Sequence, residues 1–128
     1  MLVNIFALKR TFLTVLFVLL ICMAGLTFAQ TEQFGKASYY ADRFEGRQTA
    51  SGELFCQDSL TAAHPTIPFN TKVKVTNVKN DRSVIVRIND RGPLVPGRII
   101  DLSRKAMEKL NGIFTGVIEV RIDELNDQ

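Results

Sequence analysis

The chain has 128 residues, with 16 basic against 13 acidic, one histidine and two cysteines, which is enough for one domain with a modest core and not for two. Two of the basic residues, Lys9 and Arg10, stand at the head of an apolar N-terminal run, so the remainder is close to neutral and a nucleic-acid footprint has little support. Only Cys56 lies outside that run, which excludes an intramolecular disulfide and leaves stability to the core.

Lys9 and Arg10 precede an uncharged stretch from Thr11 to Phe28 that ends in Thr27-Phe28-Ala29 before Gln30. A basic start, an apolar middle and small residues at −3 and −1 of a cut read as a secretory signal peptide over residues 1–29. Two alternatives stand beside it. One is an uncleaved anchor, for which the run is near the lower length limit. The other is acylation at Cys22, which is preceded by Leu19-Leu20-Ile21 where a small residue is expected. Export to the periplasm or cell envelope follows from the first reading.

After a short leader at 30–34, the pattern is mostly of period two. Gly35 to Tyr40 and Leu60 to Ala63 are short strand candidates. Lys72 to Thr76 and Ser83 to Ile88 alternate polar and apolar residues, with Val84, Val86 and Ile88 on one face and a turn at Lys79-Asn80-Asp81 between them, which predicts a hairpin. Arg98 to Ile100 is another short strand. Ser103 is a natural N-cap, Leu102 can staple onto Met107, and Asn111-Gly112 closes a short helix carrying Ala106, Met107 and Leu110 inward. Val117 to Ile122 supplies the last strand. Six short strands with one or two short helices over residues 35–125 predict a mainly β fold, a small closed barrel, because closure removes exposed edges.

Polar residues break this pattern in three places: Thr49-Ala50-Ser51-Gly52-Glu53, Leu60-Thr61-Ala62-Ala63-His64, and Asn89-Asp90-Arg91-Gly92-Pro93. Asp90 follows a core-facing Ile88 and belongs at the rim of the barrel, where a carboxylate can be tuned for general acid catalysis. Gly92 and Pro93 would fix where it points. A plain surface turn accounts for the same residues equally well. His64 is either a hydrogen-bonded rim residue or a catalyst. No second histidine or cysteine cluster stands at ligand spacing, so no metal is called for. The serines lack a nucleophile elbow. Cys56, beside Phe55 and Gln57, has no base or cation to activate it. Glu53 with Asp90 forms a candidate carboxylate pair of the kind used on glycosidic bonds.

Taken in order, Gly35 to Tyr40, Phe44 to Glu53, Leu60 to His64, Asn89 to Pro93 and Arg98 to Ser103 resemble the rare lipoprotein A (RlpA-like) family of bacterial cell-wall proteins, over roughly Gly35 to Leu125. The resemblance implies a six-stranded double-psi β-barrel with a groove across one face, shared with expansins and some cellulases. It also implies lytic transglycosylase activity: cleavage of the MurNAc–GlcNAc β-1,4 bond of peptidoglycan to leave a 1,6-anhydro end, on peptide-poor strands. Carried over position by position, the functional acid falls on Asp90, with His64 and Glu53 as its companions. Tyr39 and Tyr40 are expected to stack on sugars, unless one of them belongs to the core, and Thr61, Asn89 and Arg91 to contact substrate. Arg91 is open between an ion-pair partner and a structural anchor. The expected partner is the glycan strand, bound by a monomer that needs no cofactor. A non-catalytic, expansin-like glycan-binding module would use the same residues.

Overall fold

The computed structural model describes residues 4–24 and 32–126. The expected cleavage site at Ala29 lies outside them. Residues Ile5–Ala24 form a helix, α1, and no helix among the described residues is long and apolar enough to cross a membrane.

The rest is a barrel. Its strands are β1 (Glu32–Tyr39), β2 (Thr61–Ala63), β3 (Lys72–Asn77), β4 (Ser83–Asp90), β5 (Arg98–Leu102) and β6 (Ile118–Glu124), and a helix α2 (Arg104–Lys109) follows β5. They close in the order β1-β5-β2-β4-β3-β6. β1 runs parallel to β5 and β2 parallel to β4, while the other four pairings are antiparallel. Two parallel crossovers inside one small closed sheet give the double-psi arrangement. The expected leader is shorter than the sequence implied, because Glu32 to Phe34 already pair with Arg121 to Asp123 of β6.

Alternation builds the core. Val84, Val86 and Ile88 of β4 point inward against Val73 and Val75 of β3 and Ile118, Val120 and Ile122 of β6. The hairpin predicted from the sequence is the antiparallel pair β3/β4. β1 and β5 approach closely at Gly35, where a Cβ would stand 2.7 Å from Ile99 Cγ2, so no larger residue fits without a shift.

α2 closes one flank of the barrel. Ser103 caps it through its hydroxyl, which accepts the Ala106 N–H at 3.3 Å, and Asn111 ends it in the left-handed region at φ 55°. Asn tolerates that conformation better than most side chains. Ala106, Met107 and Leu110 are fully buried beneath it.

Ile88 has no exposed surface and lies two residues before Asp90. Replacing it, Ile88→Ala, is expected to cost about 2–5 kcal/mol of unfolding free energy in urea titrations; a loss under about 1 kcal/mol would mean that the strand is not anchored through this side chain.

Candidate functional site

β4 carries Asp90 out of the core at a point where its pairing with β2 slips by one residue between Ala62 and Ala63. At this point Asn89 is still buried and Asp90 half-exposed. The two oxygens of Asp90 are held differently. Oδ1 accepts the backbone N–H groups of Ala50 and Arg91, each at 2.9 Å. Oδ2 accepts the Tyr40 hydroxyl at 2.5 Å. Oδ1 thus accepts two bonds and Oδ2 one, which leaves Oδ2 the oxygen with the freer lone pair.

Tyr40 comes from the end of β1, where its N–H donates to the Leu102 carbonyl at 3.0 Å. Phe55 lies against its ring at 4.2 Å between centroids and Phe44 meets it edge-on at 5.7 Å. Burial, and then the Asp90 carboxylate, push the Tyr40 hydroxyl far above its ordinary range, so it stays a proton donor. The sequence had assigned Tyr40 to sugar stacking; its ring is instead packed among aromatics and its hydroxyl holds the acid. Tyr39 sits on the other side of the strand, packed against the core.

The Ala50 donor arrives on a hairpin-like loop, residues 46–55. Gly46 N–H to the Phe55 carbonyl (2.9 Å) and Phe55 N–H to the Arg47 carbonyl (2.8 Å) close its base. Thr49 closes its tip by donating its N–H to the Glu53 carbonyl at 2.8 Å. The loop lies over β4: Ser51 N–H donates to the Asn89 carbonyl at 3.3 Å. Glu53 is gripped by both guanidinium nitrogens of Arg87, at 2.7 and 2.9 Å, and by Asn89 Nδ2 at 3.3 Å. Arg87 and Asn89 keep the Glu53 carboxyl below the usual carboxylate range. Glu53 and Asp90 thus stand on the same loop contact without a hydrogen bond between them. Glu53 fastens the loop that brings Ala50 to Asp90.

His64 is buried, with 3% of its surface exposed. Its Nδ1 accepts the N–H groups of Thr66 and Ile67 at 3.1 and 3.0 Å, which places the ring proton on Nε2, facing Gln33 Oε1 at 3.0 Å. Burial, with a contribution from Arg91, lowers its pKa below the ordinary 6.5. The ring makes no hydrogen bond to the Asp90 carboxylate. The connection runs through the main chain: His64 N–H donates to the Asp90 carbonyl at 3.1 Å, and Arg91 Nη1 donates to the carbonyls of His64 and Ile67 at 3.1 and 2.8 Å. Arg91 also covers the Phe69 ring at 4.0 Å. Between the two roles left open for it, Arg91 takes that of an anchor.

Two expected substrate contacts are buried: Thr61, 5% exposed with its hydroxyl unpartnered, and Asn89, 2% exposed with its amide turned to Glu53. In their place stand residues the sequence did not single out. Asp101, paired across the sheet with Ser38, accepts the Ser38 hydroxyl and Arg98 Nη2, the latter at 2.7 Å, and its charge is felt at Tyr40. Gln57, also buried, ties three segments together. Its Nε2 donates to the Tyr40 carbonyl at 2.8 Å, and its Oε1 accepts the Arg104 N–H at 2.8 Å. Asp101 lies in the quoted motif Arg98 to Ser103 and was legible there; nothing local marks Gln57. A hollow of about 500 Å³ lined by Asn77, Val78, Asn80, Val117 and Glu119 is at the opposite end of β4 and shares no residue with this constellation.

The site is thus one pinned carboxylate at the end of a core strand of a closed mixed barrel. Residues 32–122 match the model of the lytic transglycolase family, and the chain belongs to that family. It is 55% identical over 89 residues to the endolytic peptidoglycan transglycosylase RlpA of Pasteurella multocida (strain Pm70), covering 70% of this chain and 30% of that protein. It is 47% identical over 97 residues to the protein of the same name from Neisseria meningitidis serogroup B (strain MC58), covering 76% and 41%. The chain therefore spans well under half the length of these relatives. Among solved structures, the Streptomyces papain inhibitor aligns with a TM-score of 0.62 at 26% identity, over 75% of this chain and 96% of that one. The apo expansin of Clavibacter michiganensis aligns with a TM-score of 0.60 at 21% identity, over 77% and 52%, a likeness of fold alone.

His64 supplies a pH test. An unfolded histidine takes up a proton near pH 6.5, whereas the native one does so only at lower pH, so its contribution is complete above that value and is lost as the pH falls below it. Thermal unfolding followed from about pH 7 to about pH 5 is expected to show a falling Tm, with a flatter profile in His64→Asn at a lower Tm overall. Parallel profiles for the two proteins would contradict the buried neutral imidazole.

Proposed function

We propose that this domain is a peptidoglycan lytic transglycosylase that cleaves the MurNAc–GlcNAc β-1,4 bond of peptide-poor strands, with Asp90 as its acid and base. The observation that carries the reading is the asymmetric hold on Asp90: two backbone donors on Oδ1 and the Tyr40 phenol on Oδ2. In the acid form the Oδ2 proton passes to the glycosidic oxygen as the bond from that oxygen to C1 breaks. The resulting carboxylate takes the proton of the MurNAc C6 hydroxyl while O6 closes on C1, giving the 1,6-anhydro ring. One group serves both steps because no water is consumed, whereas a hydrolase needs a second carboxylate to activate water or attack the sugar.

The disposition of Glu53 supports this economy. Its pairing with Arg87 and Asn89 leaves it a loop fastener rather than a second reacting acid. Tyr40, kept protonated, stabilises the Asp90 carboxylate once the proton has left, when charge on it is greatest. The relatives bearing the name endolytic peptidoglycan transglycosylase RlpA add their weight to the same reading. In this account residues 1–29 direct export and the domain works in the cell envelope, which N-terminal sequencing of the secreted form checks at Ala29/Gln30.

Incubation of the protein with peptide-free glycan strands is expected to release anhydro-muropeptides detectable by mass spectrometry. Asp90→Asn should lower kcat by about 10²–10⁴-fold, and Tyr40→Phe by about 10–100-fold with little change in KM, as expected for one lost hydrogen bond to a charged group. Binding to strands without any anhydro product from the wild-type protein would replace the enzyme with a glycan-binding module of the expansin kind. Full activity in Asp90→Asn would assign the acid elsewhere.

A further inference from the structure

Most charged groups around Asp90 are engaged inside the protein, and the segment between Ala41 and Arg47 divides its own in an unequal way. Its carboxylates are consumed: Asp42 is held by Arg104 at 2.7 Å and by Gln57 at 3.2 Å, and Glu45 accepts the Gln57 N–H at 2.7 Å. Its arginines have no ion-pair partner among the described residues. Both instead cover the Phe44 ring, with Cζ 5.1 Å (Arg43) and 5.6 Å (Arg47) from its centroid.

This ring is one step from the chemistry. Phe44 meets Tyr40 edge-on, and Tyr40 holds Asp90. A cation–π contact uses the face of the guanidinium and leaves its N–H fork free to donate. Two guanidinium groups on one ring, with no carboxylate among the described residues paired to either, leave their charge available to an anion from outside the protein. This arises because Gln57 and Arg104 engage the neighbouring acids.

We propose that Arg43 and Arg47, carried on Phe44, form a subsite for a carboxylate borne by the glycan next to the bond that Asp90 cleaves. This rests on the reading of the Asp90 surface as a peptidoglycan site. In that polymer a carboxylate is available on the lactyl arm of MurNAc, as the free acid where the stem peptide is absent, or farther out on the peptide where it is present. Planar forks suit carboxylates through paired N–H donors, and their exposure keeps the subsite sensitive to salt.

The test is a binding titration of the purified protein against three probes: peptide-free strands, the same strands with their lactyl carboxylates amidated, and sacculi with stem peptides intact. Wild type is expected to bind amidated strands at least about tenfold more weakly than unmodified ones, and R43Q/R47Q to bind both alike, at the weaker level. Tighter binding to peptide-free strands than to intact sacculi assigns the carboxylate to the lactyl acid, and the reverse order assigns it to the stem peptide; either supports the subsite. Equal wild-type affinity for amidated and unmodified strands without tighter binding to intact sacculi, or wild-type affinity in R43Q/R47Q for every probe, overturns it. Amidation sensitivity without any anhydro product supports the subsite while removing the catalytic reading, so the two fail separately.

Discussion

The site depends on one constraint: a half-buried carboxylate at the end of β4 must be met by donors from three parts of the chain. Tyr40 comes from the end of β1, Ala50 from the loop over β4, and Arg91 from the residue next in sequence. An ionised carboxylate brought out of bulk water needs such partners, since leaving its oxygens unpaired costs more than the bonds themselves contribute. Closure of the barrel brings the three together. β2 lies between β4 and β5, and β5 in turn pairs with β1; Tyr40, just past the end of β1, is tied to the end of β5 through the Leu102 carbonyl and meets Asp90 from there.

The supporting interactions read as consequences of that requirement. Arg87 and Asn89 hold Glu53 so that the loop cannot lift Ala50 away. Arg91 ties the exit of β4 to the His64–Ile67 turn, and the neutral His64 ring completes that turn by accepting two N–H groups. Gln57 fixes the carbonyl of Tyr40 and the start of α2 at once. Each of these polar groups is engaged with the protein itself, which is why a rim built largely of charged and polar side chains can be rigid. Glu53, Arg87 and Arg91 thus stabilise geometry, and their exposure means that they do so as part of a network rather than as isolated pairs.

Much of this was legible in the sequence, for reasons that differ by element. Val84, Val86 and Ile88 betrayed their strand because a half-buried strand must alternate, and the Ser103 cap and Asn111-Gly112 stop marked α2 because helix ends need partners for their free N–H and carbonyl groups. The same alternation placed Asp90 at the rim, although it left a turn equally possible, and the family resemblance was needed to decide. What stayed hidden depends on contacts between distant segments. The one-residue slip between β2 and β4 falls where β4 reaches Asp90, and no local pattern announces it. The bond from Tyr40 to Asp90 was not legible because its partner is 50 positions away. Thr61 and Asn89 are buried, Asn89 against the loop at 46–55, and burial of this kind depends on segments far apart in sequence. Glu53 could be matched by motif but not by role, since only the fold puts Arg87 against it.

The central claim is that Asp90 alone handles the proton while the sugar's own hydroxyl, not water, closes the reaction. Cleavage of peptide-free strands in H₂¹⁸O measures this directly. The account predicts anhydro-muropeptide ends that carry no ¹⁸O from the first turnover; reducing ends labelled with ¹⁸O at C1 would show that water attacks, and that a second group in this surface must activate it.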